Sequence, residues 1–152
     1  MIRRLDADEW PEWRAARLDA LADAPEAFGS TLVDWIDATD DRWRARIHDV
    51  PFNVIARRDD KPVGQVSATH NEPAATVELI SMWVSPTVRG MGVGDALIEA
   101  VISWATSRQA HTVELSVKVS NKPARRLYER NEFSLAGAGA AADEVRMTRA
   151  LP

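Results

Sequence analysis

Residues 84–95 read Val84-Ser85-Pro86-Thr87-Val88-Arg89-Gly90-Met91-Gly92-Val93-Gly94-Asp95. The stretch follows an apolar run and precedes a segment whose apolar residues recur at helical spacing. It therefore predicts a strand, a glycine loop and a helix in succession. Because glycine has no Cβ, its backbone N–H can approach an anion closely, and the helix N-terminus adds a partial positive charge. We therefore expect an anion-binding loop.

The spacing of the glycines limits which anion the loop could bind. A dinucleotide-binding loop has glycine at its first, third and sixth positions, whereas Gly90, Gly92 and Gly94 are at the first, third and fifth. The nucleotide-hydrolase loop is absent, because the chain contains no Gly-Lys-Ser or Gly-Lys-Thr. The pattern that remains is Arg89, two residues, Gly92, one residue and Gly94. A tight turn before a helix is the alternative interpretation.

A second informative stretch follows an alternating segment, 111–119, that predicts a strand. It reads Ser120-Asn121-Lys122-Pro123-Ala124-Arg125-Arg126-Leu127-Tyr128-Glu129-Arg130-Asn131-Glu132-Phe133. Asn121 can cap a helix, and Pro123 is tolerated in the first turn, where no N–H partner is lost. The pattern predicts a strand that leads directly into a helix.

Together the two stretches resemble the GNAT N-acetyltransferase superfamily. Its acyl-CoA pyrophosphate loop has Arg or Gln, two residues, Gly, one residue, and Gly or Ala. Its second motif has Asn after the fifth strand, then Ala, a Leu-Tyr pair and Phe, and the matching residues here are Asn121, Ala124, Leu127, Tyr128 and Phe133. Relatives usually have Gly before that Phe as a left-handed helix end. This chain has Glu132 there, so we expect Asn131 to adopt the left-handed conformation instead.

The resemblance extends over nearly the whole chain and implies one GNAT acetyltransferase domain, residues 1–152, of α/β (α+β) class. The implied fold is a central, mostly antiparallel mixed sheet of about six or seven strands, flanked by about four helices and splayed between strands four and five. The local patterns give the order β-α-α-β-β-β-α-β-α-β-β. In the first helix, Trp10, Trp13, Arg17 and Leu21 recur at helical spacing, and we expect the tryptophans in the core.

Composition excludes several other classes of protein. The net charge of −4 argues against general binding to nucleic acid or to anionic membranes. Within this acidic chain the segment 118–130 is basic, which suits a coenzyme with several phosphates or a solvated helix face. The absence of cysteine excludes disulfides, thiolate metal sites and transfer through an enzyme thioester. The histidines are scattered, so no metal site is expected. Neither a signal peptide nor a membrane span is recognisable, and we expect a cytoplasmic protein.

The resemblance implies the site residues. The backbone of a bulged fourth strand, the glycine loop and the second motif would bind the coenzyme. The residues are Met82, Trp83, Val84, Arg89, Gly90, Met91, Gly92, Val93, Gly94, Asp95, Asn121, Ala124, Arg125 and Tyr128. Tyr128 matches the tyrosine that protonates the departing thiolate, and a phenol of ordinary pKa is protonated at pH 7. The alternative for Tyr128 is an aromatic ring that packs on the sheet.

Glu78 is the candidate general base, at a place where some family members keep a glutamate. Strand alternation predicts that Glu78, Ile80, Met82 and Val84 share one face, near the cleft, unless the bulge intervenes. Burial would raise the pKa of Glu78. A carboxylate in water at the strand edge is the alternative, and many relatives use ordered water alone.

The acceptor is expected next to the segment Asp23–Trp43, which in this family covers the acceptor site. The segment is rich in acids and aromatics, which would attract a cationic amine, although solvated carboxylates on short helices give the same pattern. We expect Phe28, Gly29, Ser30 and Glu78 to contact the substrate. The resemblance implies transfer of an acetyl group from acetyl-CoA to a primary amine of a small molecule or peptide, in a ternary complex. Dimers are frequent in similar proteins. The alternatives are a non-catalytic acyl-CoA sensor and a nucleotide-binding α/β module.

Overall fold

The computed structural model describes residues 1–25 and 31–152. The strands are β1 (Ile2–Arg4), β2 (Phe52–Arg58), β3 (Lys61–Asn71), β4 (Thr76–Val84), β5 (Thr112–Lys118), β6 (Ser134–Ala138) and β7 (Glu144–Ala150). The α-helices are α1 (Trp10–Asp23), α2 (Leu32–Ile36), α3 (Asp40–Asp49), α4 (Val93–Ser107) and α5 (Lys122–Arg130). Short 3-10 helices cover Ala7–Glu9 and Pro86–Val88.

The strands form one seven-stranded sheet in the order β1-β2-β3-β4-β5-β7-β6. β4 and β5 pair in parallel, and the other neighbouring strands are antiparallel. This arrangement confirms the predicted α/β class and its mostly antiparallel mixed sheet. The segment before β2 contains α2 and α3 as separate helices, because Thr31 and Thr39 each cap a new one.

Helices cover both faces of the sheet. On one face, which we call the α1 face, a buried cluster joins α1 and α3 to β2 through Trp13, Trp43, Ile47 and Ile55. The other, the α4 face, holds a larger cluster to which α4 and α5 contribute. Trp13 has no exposed surface, which confirms its predicted place in the core, and Trp10 packs against the edge of the α1-face cluster.

The sheet opens between its fourth and fifth strands. β4 pairs with β5 only through Thr76, Val77 and Glu78, opposite Thr112, Val113 and Glu114. Beyond these residues both strands continue but no longer pair with each other, so β4 and β5 diverge. The predicted splay between strands four and five is thereby confirmed.

A β-bulge in β4 accompanies this divergence. Gln65 pairs with Trp83 and Ser67 with Ile80, so β4 has one residue more than β3 between these pairs. Ser81 lies in that interval with φ of 57°, in the left-handed region that most residues avoid. Such a bulge bends the strand and reverses the alternation of side chains that follow it.

The bulge intervenes in the alternation of β4, which is the exception that the sequence analysis allowed. Glu78 pairs with Thr69, and Ile80 pairs with Ser67. Because Arg46 of α3 donates a hydrogen bond to the Ser67 hydroxyl, this side of the strands is the α1 face, and Glu78 and Ile80 lie on it. Met82 and Val84 instead pack against the cluster of the α4 face. Glu78 therefore does not share a face with Met82 and Val84, because the extra residue shifts the period of two by one.

The end of α5 also differs from the sequence-based expectation. Asn131 has φ of −96°, and Glu132 adopts the left-handed conformation with φ of 70°. The Asn131 side chain donates to the Leu127 carbonyl at 2.9 Å and to the Asp95 carboxylate at 2.8 Å. These bonds hold Asn131 in the helical turn, so the chain reverses one residue later, at the position where relatives have glycine.

Candidate coenzyme and acceptor site

The diverging strands β4 and β5 form the walls of a cleft of about 900 Å³. The glycine loop and the beginnings of α4 and α5 complete it. Most of the predicted coenzyme-binding residues line this cleft: Met82, Trp83, Val84, Arg89, Gly90, Gly92, Val93, Gly94, Asp95, Asn121, Ala124 and Tyr128. The two sequence motifs therefore meet in one space, although they are far apart in the chain.

The glycine loop has the backbone expected of an anion-binding site. Gly90 and Gly92 have φ of 80° and 82°, and Gly92 is the N-cap of α4. A Cβ built on either glycine would meet no described atom within 4 Å, so both Cα atoms border open space. The first N–H groups of a helix have no intrahelical acceptor, and those of α4 begin at this loop.

Gly94 contributes to the packing of two helices. A Cβ at this position would lie 2.9 Å from Cδ2 of Leu127. Gly94 therefore allows α4 to approach α5 closely, and its missing side chain serves helix packing rather than the approach of an anion.

Asp23, at the end of α1, contacts two of the predicted coenzyme-binding residues. Its Oδ2 accepts a hydrogen bond from Trp83 Nε1 at 3.0 Å and lies 3.6 Å from Nη2 of Arg89. Arg89 also donates from Nε to the Val84 carbonyl at 3.3 Å. The Asp23 carboxylate thus connects the end of α1 with the bulged strand β4 and the glycine loop.

Asp95, at the start of α4, is held by the end of α5. Its carboxylate accepts hydrogen bonds from Asn131 Nδ2 at 2.8 Å and from Arg130 Nη2 at 3.0 Å. The Asn131 bond and, less strongly, Arg130 lower the pKa of Asp95. Arg130 lines the cleft as well and offsets the negative charge that Asp95 places beside an incoming anion.

Tyr128 lies within the cleft wall on α5. Its side chain is buried, and its ring meets Phe133 edge-on at a centroid distance of 5.9 Å. Burial raises the pKa of Tyr128 far above its usual value, so the phenol is protonated throughout the physiological range. Asn121 fixes the start of α5, because its Oδ1 accepts the Ala124 N–H at 3.3 Å.

Other predicted residues lie away from the cleft lining. Met91 is exposed, and its sulfur accepts a hydrogen bond from Arg58 at 3.0 Å. Arg125 donates to the Val119 carbonyl at 3.3 Å. Phe28, Gly29 and Ser30, the expected substrate contacts, are outside the described residues. The cleft lining also includes Lys118 and Arg130 of the predicted basic segment, Asp23 of the expected acceptor segment and Leu127 of the second motif. Sequence reasoning missed Ser116 and Ser120, which line the cleft as well.

Glu78 lies at the point where β4 and β5 separate. On the α1 face it stands opposite Glu114 of β5. Burial raises the pKa of Glu78, and the negative charge of Glu114 raises it further. Glu114 has a second neighbour, Arg146 of β7, whose Nη1 is 3.6 Å from its carboxylate. Glu78 is therefore a stronger base than a carboxylate in water.

The acids after residue 30 in the expected acceptor segment serve local roles. Asp34 accepts the Thr31 N–H in a capping box, and Asp41 pairs with Arg44 on the same helix. Asp40 and Asp41 lie in the first turn of α3, where a helix dipole favours negative charge. Within the described part of the segment, Asp23 is the acid that lines the cleft.

Residues 3–133 match the family model described as "Acetyltransferase (GNAT) family". The chain belongs to this family. Among the GNAT relatives, mycothiol acetyltransferase of Brachybacterium faecium is 31% identical over 128 residues, which cover 82% of this chain and 38% of that protein. Streptothricin acetyltransferase of Escherichia coli is 37% identical over 81 residues, covering 52% and 45%. The chain thus spans less than half the length of these curated relatives.

Solved GNAT structures resemble the fold. The crystal structure of nourseothricin acetyltransferase is 29% identical, with a TM-score of 0.61, and the match covers 66% of this chain and 65% of that one. A GNAT acetyltransferase from Streptococcus pneumoniae matches 100% of this chain and 99% of its own, with a TM-score of 0.81. Its identity of 19% makes it a likeness of fold alone. Among the described residues, no helix is both long and apolar enough to cross a membrane.

GNAT proteins generally use acetyl-CoA as a co-substrate. The described cleft fits such a molecule, because it combines a glycine loop that borders open space with an unpaired strand edge and a protonated phenol. The loop suits the diphosphate, and the edge of β4 offers main-chain groups to an amide-containing arm.

Proposed function

We propose that this GNAT domain transfers an acetyl group from acetyl-CoA directly to a primary amine, in a ternary complex of enzyme, coenzyme and acceptor. The main support is that the glycine loop at Gly90 and Gly92, which has positive φ, and the buried Tyr128 line the same cleft. The relatives named for mycothiol and streptothricin favour a small-molecule acceptor.

The diphosphate of acetyl-CoA would bind the N–H groups from Gly90 to Asp95, with Arg89 and Arg130 as nearby cations. Arg89 already contacts Asp23, so its guanidinium would exchange part of that ion pair for the phosphates. The edge of β4 after Glu78, which lacks a β5 partner in the described structure, would bond the pantetheine arm and the acyl carbonyl through Met82, Trp83 and Val84.

Acetyl-CoA supplies a thioester whose carbonyl carbon accepts the amine. Glu78 would take the proton of the acceptor ammonium, directly or through a water molecule, because burial and Glu114 raise its pKa. A carbon–nitrogen bond forms as the carbon–sulfur bond breaks. Tyr128 would donate its proton to the departing sulfur and regain one, directly or through water, from the new amide nitrogen, which still carries the second proton of the amine. Burial raises the pKa of Tyr128, so the phenol is protonated at neutral pH.

Glu78 and the β4 residues that would bind the coenzyme arm point to different faces of the sheet, which suits direct transfer. Glu78 is on the α1 face, whereas Met82 and Val84 pack toward the α4 face, and the bulge at Ser81 separates the two sets. The acceptor would then approach from the α1 face while the coenzyme occupies the cleft, so neither reactant has to leave before the other binds.

A ligand comparison followed by an acceptor screen tests this proposal. Acetyl-CoA and CoA should raise the melting temperature and ATP and NAD should not, since a ligand at 100 times its dissociation constant adds about 2.7 kcal/mol of stability. Free thiol should then appear from acetyl-CoA only when a suitable amine is present. Stabilisation by ATP or NAD alone would refute the proposal, and coenzyme binding without amine-dependent thiol release from a broad amine panel would support the non-catalytic sensor instead.

A further inference from the structure

A partly buried arginine lies beside the bulge, on the α1 face. Arg46 of α3 donates from Nη1 to Asn53 Oδ1 at 3.1 Å, and from Nη2 to the hydroxyls of Ser67 at 3.1 Å and Ser81 at 3.4 Å. Its guanidinium also lies 4.7 Å from the ring centre of Trp13. All of these partners are neutral, and no carboxylate of the described residues forms an ion pair with Arg46.

Arg46 is a partly buried cation. Burial and, to a smaller extent, the nearby positive charge of Arg17 lower the pKa of Arg46 to about 10, so Arg46 is still cationic at pH 7. A charge removed from water is normally paired with an opposite charge, because its unpaired burial is unfavourable. A ligand that brings negative charge to Arg46 would therefore bind favourably.

The position of Arg46 relates this charge to the proposed reaction. Ser81 is the bulge residue and lines the cleft, and it accepts the longest of the three hydrogen bonds that Arg46 donates. Glu78 is three residues earlier on the same strand and lies on the α1 face, where Arg46 also lies. An acceptor that approaches the thioester from this face would thus find a carboxylate and a guanidinium beside the same bulge.

A second polar group of this face has unused hydrogen-bonding capacity. Gln65 pairs with Trp83 across the bulge and lies two residues before Ser67 on β3. Its side chain has no exposed surface, and neither its amide oxygen nor its amide nitrogen has a partner among the described residues. The polar side chains beside the bulge are therefore not fully satisfied by one another.

We propose that Arg46 binds an anionic group, a carboxylate or a phosphate, on the acceptor, so that the preferred acceptors are amines that also bear a negative charge. The inference rests on the proposed function, since it gives the substrate class of the same site. A guanidinium forms two parallel hydrogen bonds with either anion, and one of its bonds, that to Ser81, is long enough to be exchanged. The acceptor ammonium would then lie toward Glu78.

The direct test observes the Arg46 side chain. Nitrogen-15 NMR of the arginine Nε–H groups is recorded for the full chain with CoA present, and the Arg46 signal is assigned from the R46K variant. The probes are β-alanine against propylamine, and O-phosphoethanolamine against ethanolamine, at equal ionic strength. We expect a saturable shift of the Arg46 signal with the carboxylate probe, the phosphate probe or both, and which one responds identifies the anion. No shift, or an equal shift with the neutral partner of each pair, would overturn the proposal.

Kinetic measurements distinguish a role of Arg46 in acceptor binding from a purely structural role. With an anionic acceptor, R46M should raise KM by about 10- to 100-fold, the size expected for losing hydrogen bonds to a charged group, and R46K should retain part of the affinity. The loss of kcat/KM in R46M should be smaller for the matched acceptor without the anion than for the anionic acceptor. The control is R44M, because Arg44 is an exposed residue of the same helix that pairs with Asp41.

The outcomes separate this inference from the proposed function. Equal loss for both members of an acceptor pair would mean that Arg46 only supports the fold, and melting temperatures of R46M and R46K identify that case. If no amine releases thiol from acetyl-CoA, the proposed function fails, whereas the NMR titration still measures binding of the anion to Arg46.

Discussion

Gly92 offers the sharpest test of the coenzyme site, because its replacement perturbs the cleft without a clash in the free protein. At φ of 82° an alanine is strained, and a Cβ built there meets no described atom within 4 Å. The left-handed conformation disfavours a residue with Cβ by roughly 1 to 2 kcal/mol. For a domain of this size each kcal/mol lowers the melting temperature by about 2 to 4 °C. Gly92→Ala should therefore melt about 2 to 8 °C lower and remain folded.

The effect on the coenzyme should be larger than this strain. The added methyl group lies at the N-cap of α4, in the open space that the diphosphate would occupy. Loss of even one hydrogen bond to a charged group weakens binding by about tenfold or more. Titration calorimetry of acetyl-CoA should give at least this loss for Gly92→Ala, and a greater one for Gly92→Val, whose side chain is branched.

A matched variant separates strain from obstruction. Gly137 also has positive φ, 137°, but lies in β6, and its Cβ would meet only the Arg146 side chain, at 3.7 Å, among the described atoms. Gly137→Ala should lower stability and leave acetyl-CoA affinity unchanged. If Gly92→Ala binds acetyl-CoA as tightly as the unaltered protein, the diphosphate does not bind at this loop and the assignment of the cleft is wrong.

Further expected outcomes concern the reacting groups and the packing of the cleft. Tyr128→Phe should lower kcat about 100-fold and preserve acetyl-CoA affinity, since it removes a proton donor and keeps the ring; unchanged turnover in a thiol-release assay would remove Tyr128 from the acid role. Because the pKa of Glu78 is raised and the base acts deprotonated, kcat/KM should fall as pH drops through a value above that of a free glutamate. Glu114→Gln should move this acid limb to lower pH, and a limb that stays in place would mean that Glu78 is not the base. Because a Cβ at Gly94 would lie 2.9 Å from Cδ2 of Leu127, Gly94→Ala and Leu127→Ala should not act independently: in denaturant titrations the stability loss of the double variant should be smaller than the sum of the two single losses by about 0.5 kcal/mol or more, and additive losses would refute the contact.

The helices, the strands and most residues that line the cleft could be predicted, because the sequence patterns that indicate them each lie within a short segment. The loop at Gly90 and Gly92 requires positive φ, and Asn121 and Pro123 are consecutive features of one helix start. The sequence could not reveal why Gly94 is a glycine, because the atom that excludes a side chain belongs to Leu127, on another helix. The same holds for Asp23, whose contacts with Trp83 and Arg89 join distant parts of the chain.

Strict alternation fails in β4 for a specific physical reason. A period of two assigns every second side chain to one face, and nothing in the residues from Ile80 to Trp83 marks an inserted position. Ser81 adopts positive φ without being glycine, so the usual sequence signal of a bulge is missing. At the end of α5 the local signal was also incomplete, because the side chain of Asn131 is bonded to Asp95 of α4.

The bulge at Ser81 unites the observations on both faces of the sheet. Without the extra residue, strict alternation would put Glu78 on the same side as Met82 and Val84, so the proposed base and the coenzyme-binding edge would compete for one space. With it, Glu78 and Arg46 are on the α1 face, whereas Met82 and Val84 point to the α4 face. A chain without cysteine has no thiol to hold the acetyl group between two half-reactions. The proposed reaction therefore needs the amine and the thioester in one complex, and the bulge gives the proposed base and the proposed coenzyme-binding edge separate positions on the same strand.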